Sequence, residues 1–221
     1  DWSSDVCSSD LMQASPEIYQ ARFIQRFQES KEKIDKHLEK YDEIDTKNRD
    51  QLFEELAFCL LTPQSKARAA DQSIKLLTEH DLLLNGNPEQ LEPHLKSIRF
   101  HITKAKRIVE AREKFQNFDF DFDNIEELRH KIVQTFKGLG YKEASHYLRN
   151  IGHGRDLAIL DRHILKNLIN MGLIEEIPKT LTPKKYFEIE NTMKIFCKNN
   201  EMSMGHIDLI LWSTETGEMF K

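Results

Sequence analysis

Apolar positions recur at helical spacing along most of the chain, and there is no clear sheet. Ile18, Phe23, Ile24 and Phe27 lead into a long charged segment, Lys31 to Asp50. LFEELAFCLLT, Leu52 to Thr62, is apolar nearly all round, which marks a central buried helix that Pro63 terminates. Further helices are predicted from Ser65 to Leu77, from Ile98 to Phe115 and from Ile125 to Phe136, the last opened by Asn124 as N-cap. NGNPEQL, Asn85 to Leu91, reads as a turn and a helix start. NFDFDFDN, Asn117 to Asn124, alternates Phe with Asp. It lacks the glycine and terminal glutamate of a calcium loop, so a connection with inward Phe side chains is the favoured reading. Helices follow at Lys142 onward, near Asp161, in TLTPKKYFEIENTMKIFCKNN and in GHIDLILWSTETGEMFK, making about ten in all.

The whole chain has 221 residues, 39% hydrophobic and 31% charged, enough for one large domain or two small ones. A net charge of −5 argues against a protein that coats DNA by charge alone, while leaving room for a local basic face. The first eleven residues, DWSSDVCSSDL, lack periodicity and precede Met12, and read as a non-native leader. Without its three aspartates the charge of −5 becomes −2. Beyond Cys7 only Cys59 and Cys197 remain, which excludes a disulfide framework and a four-thiolate metal or iron–sulfur site. No apolar stretch reaches membrane-spanning length. A reducing, cytoplasmic setting is the default expectation.

The chemistry concentrates in KGLGYKEASHYLRN, Lys137 to Asn150. A glycine costs a helix interior about 1 kcal/mol against alanine, so Gly138 and Gly140 mark a hairpin between two helices. The first glycine permits the turn, and the second lets a ligand approach the backbone. Unpaired N–H groups and the dipole at the following helix start attract an anion, and a nucleic-acid phosphate is the natural occupant. A plain helix–turn–helix corner is the alternative. Lys142 follows at once. It is either a surface lysine or a nucleophile, because an amine beside a DNA backbone can attack the sugar C1′ and displace a base as a Schiff base forms. The amine must be unprotonated, although a free lysine titrates near ~10.4. Lys137, Arg149 and Arg162 are candidate neighbours whose charge would help. The sugar's developing positive charge needs an anion. Asp161, nineteen residues on and following the apolar LAIL, is the candidate, and a simple N-cap is its other reading.

GLGYKEASHYLRN followed by LAILDRHIL resembles the helix-hairpin-helix DNA glycosylase superfamily. Within it, the chain is similar to the archaeal-type 8-oxoguanine DNA glycosylase/AP lyases, the second family of 8-oxoguanine glycosylases, from about Leu52 to Lys221. The resemblance implies that Lys142 is the Schiff-base nucleophile and Asp161 the catalytic carboxylate. The oxidised base would be excised and the strand cleaved by β-elimination. LLTPQSKA resembles the segment after the central helix and implies that Gln64 enters the duplex where the base has left. IRFHITKAKRIVEAR resembles the family's basic helix and places Ile98, Arg99 and Phe100 near the base pocket. The terminal DLILW and final lysine imply roles for Trp212, as a stacking face, and for Lys221 in recognising the flipped guanine. The loop HGRD, His153 to Asp156, is about one residue longer than the family pattern suggests.

The expected fold is all-α, with two helical subdomains and the helix-hairpin-helix motif at the mouth of the cleft between them. Residues 51–156 would form the central bundle, and 12–50 with 157–221 the other subdomain. Double-stranded DNA carrying 8-oxoguanine or an abasic site is the expected partner of a monomeric, nucleoid-associated enzyme. Its backbone would be met by Gly138, Gly140, Arg149, Lys66, Arg68, Lys104 and Lys106. The Schiff-base route needs no cofactor or catalytic metal. Two rival readings remain: the same chemistry on another damaged base, or a non-catalytic DNA-binding hairpin.

Overall fold

The computed structural model describes residues 15–216, which are helical with connecting turns and no strand. The first helix, α1 (Pro16–Asp42), runs through much of the segment that reads as merely charged. Its core side is Phe23, Phe27, Ile34, Leu38 and Tyr41, all buried, at intervals of three, four or seven residues. The opposite side carries i,i+4 ion pairs, Lys31–Asp35 at 3.1 Å and Glu32–Lys36 at 2.7 Å. Ile18, by contrast, is exposed.

Asn48 then caps α2 (Arg49–Leu61) by accepting the Gln51 N–H at 3.2 Å. Leu52, Phe53, Leu56, Ala57, Phe58, Cys59, Leu60 and Leu61 are all buried, so α2 is the central helix its composition predicts. It packs against α3 (Ala67–Glu79), α6 (His101–Phe115) and α8 (Tyr141–Asn150). Between α3 and α6 lie the short α4 (Leu82–Asn85) and α5 (Pro88–Leu91), then a 3-10 turn, Glu92–Leu95. The helix expected from Ile98 begins at His101 instead, because Phe100 sits in the left-handed region at φ 60°.

Asn124 caps α7 (Ile125–Thr135) as expected, accepting the Glu127 N–H at 3.2 Å. The Phe–Asp alternation before it is a connection with its rings inward. Phe118 lies 5.0 Å from Phe136, and Phe122 stacks on His153 at 4.1 Å, while Asp119, Asp121 and Asp123 face solvent. Among the described residues no cluster of three or more acidic, His or Cys side chains could hold a metal ion.

The chain divides into two compact units. One runs Glu39–Arg155 and holds α2 to α8. The other joins the residues up to Leu38 with those from Asp156 on, including α9 (Arg162–Asn170), α10 (Pro183–Asn199) and α11 (Met204–Thr216). Contacts far apart in sequence hold this second unit. Phe23 meets Phe196 at 6.2 Å, Gln20 donates to the Met171 carbonyl at 2.5 Å, and His206 Nε2 bonds Asp35 at 2.8 Å.

Candidate active site

The hairpin is built from the end of α7, where Phe136 is fully buried, and the start of α8, where Ala144 is. Gly138 lies at φ +101°, a conformation that side chains rarely adopt. A Cβ there would also come within 2.8 Å of Arg107 Nη1. Gly140 has φ −94° and ψ −173°, extended backbone open to any residue. Its added Cβ would meet only the Glu143 carboxylate, at 3.3 Å. Gly140 is exposed and is the N-cap of α8, a position where glycine serves better than alanine.

Lys142 is the second residue of α8, with its side chain 24% exposed. Its Nζ lies 3.6 Å from Glu143 Oε1, and the other oxygen of that carboxylate accepts the Gly140 N–H at 3.1 Å. Glu143 therefore closes the hairpin and pairs the lysine at once. Sequence reasoning passed over it, although a glutamate three residues after an N-cap is a known closing signal. Behind the lysine runs α2. Burial pushes the Cys59 thiol well up from its usual range, Glu55 adds to this, and the charge of Lys142 opposes it. Cys59 thus stays a protonated core group and offers no thiolate nucleophile.

Asp161 belongs to the other unit. Leu157, Ala158, Ile159 and Leu160 before it are buried, and Asp161 Oδ1 accepts the Ile164 N–H at 2.8 Å as N-cap of α9. The connection is pinned from α10, where Glu190 Oε2 accepts the Ala158 N–H at 2.9 Å and the Tyr186 hydroxyl donates to the Ala158 carbonyl. Trp212, half-buried on α11, meets His163 edge-on at 6.5 Å, two residues past Asp161.

A family model described as 8-oxoguanine DNA glycosylase matches residues 34–202, a span that includes the hairpin, Lys142 and Asp161. The chain belongs to the 8-oxoguanine DNA glycosylase family. A Fusobacterium nucleatum protein named 8-oxoguanine DNA glycosylase/AP lyase is 49% identical over 175 residues, 76% of this chain and 81% of that protein. A relative of the same name from Methanocaldococcus jannaschii is 38% identical over 198 residues, covering 87% and 94%. The crystal structure of the M. jannaschii 8-oxoguanine glycosylase/lyase with a 15mer DNA containing 8-oxoguanine superposes with a TM-score of 0.80 at 34% identity, covering 90% of this chain and 99% of that one. The 8-oxoguanine DNA glycosylase of Thermotoga maritima gives 0.84 at 30% identity, covering 93% and 100%.

Within this glycosylase fold several residues expected at the DNA lie inside the protein. Arg149 is 2% exposed and its guanidinium stacks 4.8 Å over the Tyr41 ring. Lys104 is 3% exposed, its Nζ bonded to the carbonyls of Leu61 at 2.8 Å and Pro63 at 2.7 Å and to Ser65 Oγ at 3.2 Å. Burial lowers its pKa to about 8, the charge of Arg107 adds to the shift, and Glu143 opposes it. Ile98 is buried. Lys66, Arg68 and Lys106 are exposed. Gln64 and Phe100 are exposed too, and both hold left-handed backbone, at φ 56° and 60°. Each such residue costs on the order of 1–3 kcal/mol that the surrounding structure must supply. The Arg99 guanidinium lies 4.9 Å over the Phe100 ring. Lys221 and residues 1–11 lie outside the described residues.

Proposed function

We propose that this chain excises 8-oxoguanine from duplex DNA and then cuts the strand, with Lys142 as nucleophile and Asp161 as the stabilising carboxylate. The neutral Lys142 amine attacks C1′ and the glycosidic bond breaks, its electron pair leaving with the base. The ammonium so formed passes one proton to the departing base, and the nitrogen lone pair then opens the C1′–O4′ bond as O4′ takes up a proton, which gives the protonated imine. Loss of a C2′ proton from that imine expels the 3′ phosphate, which is β-elimination. Asp161 faces the positive charge that grows on the sugar as the base departs. The hairpin backbone at Gly138 and Gly140 receives a phosphate at the start of α8. Gln64 enters the space vacated by the base, and Trp212 and Lys221 bear on the flipped base. The chain acts as a monomer on duplex that carries 8-oxoguanine or an abasic site, in the nucleoid.

The observation that carries this reading is Lys142 in the opening turn of α8, beside a glycine hairpin whose second glycine is exposed. Borohydride trapping on a duplex with one 8-oxoguanine tests it. Wild type should form a covalent complex and Lys142→Gln none, with duplex binding kept. Asp161→Asn preserves an N-cap and removes the charge, so it should fold normally and lose at least a hundredfold in excision rate, about 2.7 kcal/mol of barrier. Trapping by Lys142→Gln, or wild-type rates from Asp161→Asn, would overturn the assignment.

A further inference from the structure

We infer that Lys104 and Ser65 form a buried clasp that positions the two exposed left-handed turns, at Gln64 and Phe100, as one body for entering the duplex; the inference rests on the glycosylase reading above.

Lys104 is a costly way to fill space. A methionine of similar length would occupy the same volume without desolvating a charge. What the ammonium adds is three N–H donors, and three acceptors meet them: the Leu61 and Pro63 carbonyls and Ser65 Oγ. Leu61 is the last residue of α2, so its carbonyl carries the partial negative charge of a helix end. The amine therefore ties down the backbone on both sides of Pro63 and the side chain one residue beyond Gln64. Ser65 Oγ also accepts the Arg99 N–H at 3.1 Å. One hydroxyl thus joins the residue after Gln64 to the residue before Phe100, although they lie in separate loops.

Both turns it joins hold left-handed backbone. Gln64 and Phe100 are exposed, non-glycine and left-handed, and Phe100 keeps 55% of its surface in solvent. Without the clasp each turn is free to relax to ordinary backbone, which would redirect its side chain. Neither residue of the clasp touches the reacting sugar in this scheme, so both are positioning residues. Lys104 also starts a line toward the chemistry: Arg107, one helical turn on, packs against Gly138 of the hairpin.

The test compares wild type, Lys104→Met, Ser65→Ala and Ser65→Thr on two substrates. The first is a duplex carrying one 8-oxoguanine beside a 2-aminopurine. The second is a single-stranded oligonucleotide with a preformed abasic site, which has no base stack to open. Lys104→Met and Ser65→Ala should lose at least tenfold in excision kcat/KM and lose the 2-aminopurine fluorescence rise on binding. Their strand cleavage of the single-stranded abasic site should stay within twofold of wild type. Ser65→Thr, which keeps the hydroxyl, should restore excision. Equal losses on both substrates, or no loss on the duplex, would overturn the clasp. If Lys104→Met does not fold, the Ser65 pair decides alone by the same criteria. Failure of wild type to trap on the 8-oxoguanine duplex would instead overturn the glycosylase reading.

Discussion

At Gly138 the backbone lies at φ +101° with Arg107 packed where a Cβ would go, whereas at Gly140 it is extended and faces solvent. The two glycines therefore respond differently to the same substitution. Gly138→Ala should lower unfolding stability by about 1–3 kcal/mol in urea titrations. Gly140→Ala should change stability by less than about 1 kcal/mol, since Ala is tolerated there at the cost of a somewhat poorer cap. Its DNA affinity should nevertheless fall about tenfold, roughly 1.4 kcal/mol, because the methyl stands between backbone and phosphate. An unchanged dissociation constant for Gly140→Ala would remove the phosphate from the hairpin. The GxG spacing and a separate role for each glycine were read from the chain, whereas the φ of Gly138 and its neighbour Arg107 depend on packing. Glu143 makes the same point. Its capping bond is a local pattern, whereas its place beside Lys142 matters only once Lys142 is given a role.

Among the elements, helix positions were the most readable feature, because apolar spacing and N-cap chemistry are local. Asn124, Asp161 and Thr182 each begin a helix by accepting a backbone N–H three residues on. The starts that shifted have physical causes, as at Phe100, where a left-handed residue delays α6. The end of α1 in the charged segment was missed because its ion pairs mask a sparse stripe of Ile34, Leu38 and Tyr41. One tie between elements is open to titration. Ser203 N–H and Oγ engage His206 Nδ1, so Nε2 carries the proton toward Asp35, joining α11 to α1. The bond from His206 lowers the Asp35 pKa below its usual 3.8. The carboxylate is thus favoured in the folded state. Its contribution is complete above pH 3.8 and is lost as the pH falls through the lower folded value. Asp35→Asn should lower the melting temperature at pH 6, and the difference from wild type should shrink in acid. A difference that is constant from pH 6 to pH 2.5 would exclude the carboxylate as its source.

For the whole molecule, a net charge of −5 must be reconciled with a polyanionic partner. Binding responds to local cations, while the total charge counts every exposed acid, Asp119, Asp121 and Asp123 among them. Of the five cations expected to meet DNA, Lys104 and Arg149 are internal, leaving Lys66, Arg68 and Lys106 exposed. Replacing these three with alanine should reduce the slope of log affinity against log salt by about 2.7. The same triple substitution should barely affect melting, since surface charges contribute little to stability. A slope unchanged by the triple variant would place the DNA on another face.

The sequence alone determined that the chain is helical, that a glycine hairpin precedes Lys142, and that Asp161 opens a helix after a buried connection. These follow from spacing, turn chemistry and caps, which operate within a few residues. Tertiary structure decided which charged side chains meet solvent. Arg149 lies under Tyr41, and Lys104 is drawn inward by carbonyls some forty residues away in the chain. It also decided that Gln64 and Phe100 share one support at Ser65. A cation's burial depends on acceptors supplied by distant segments, and no local pattern of residues records where those acceptors will come to lie.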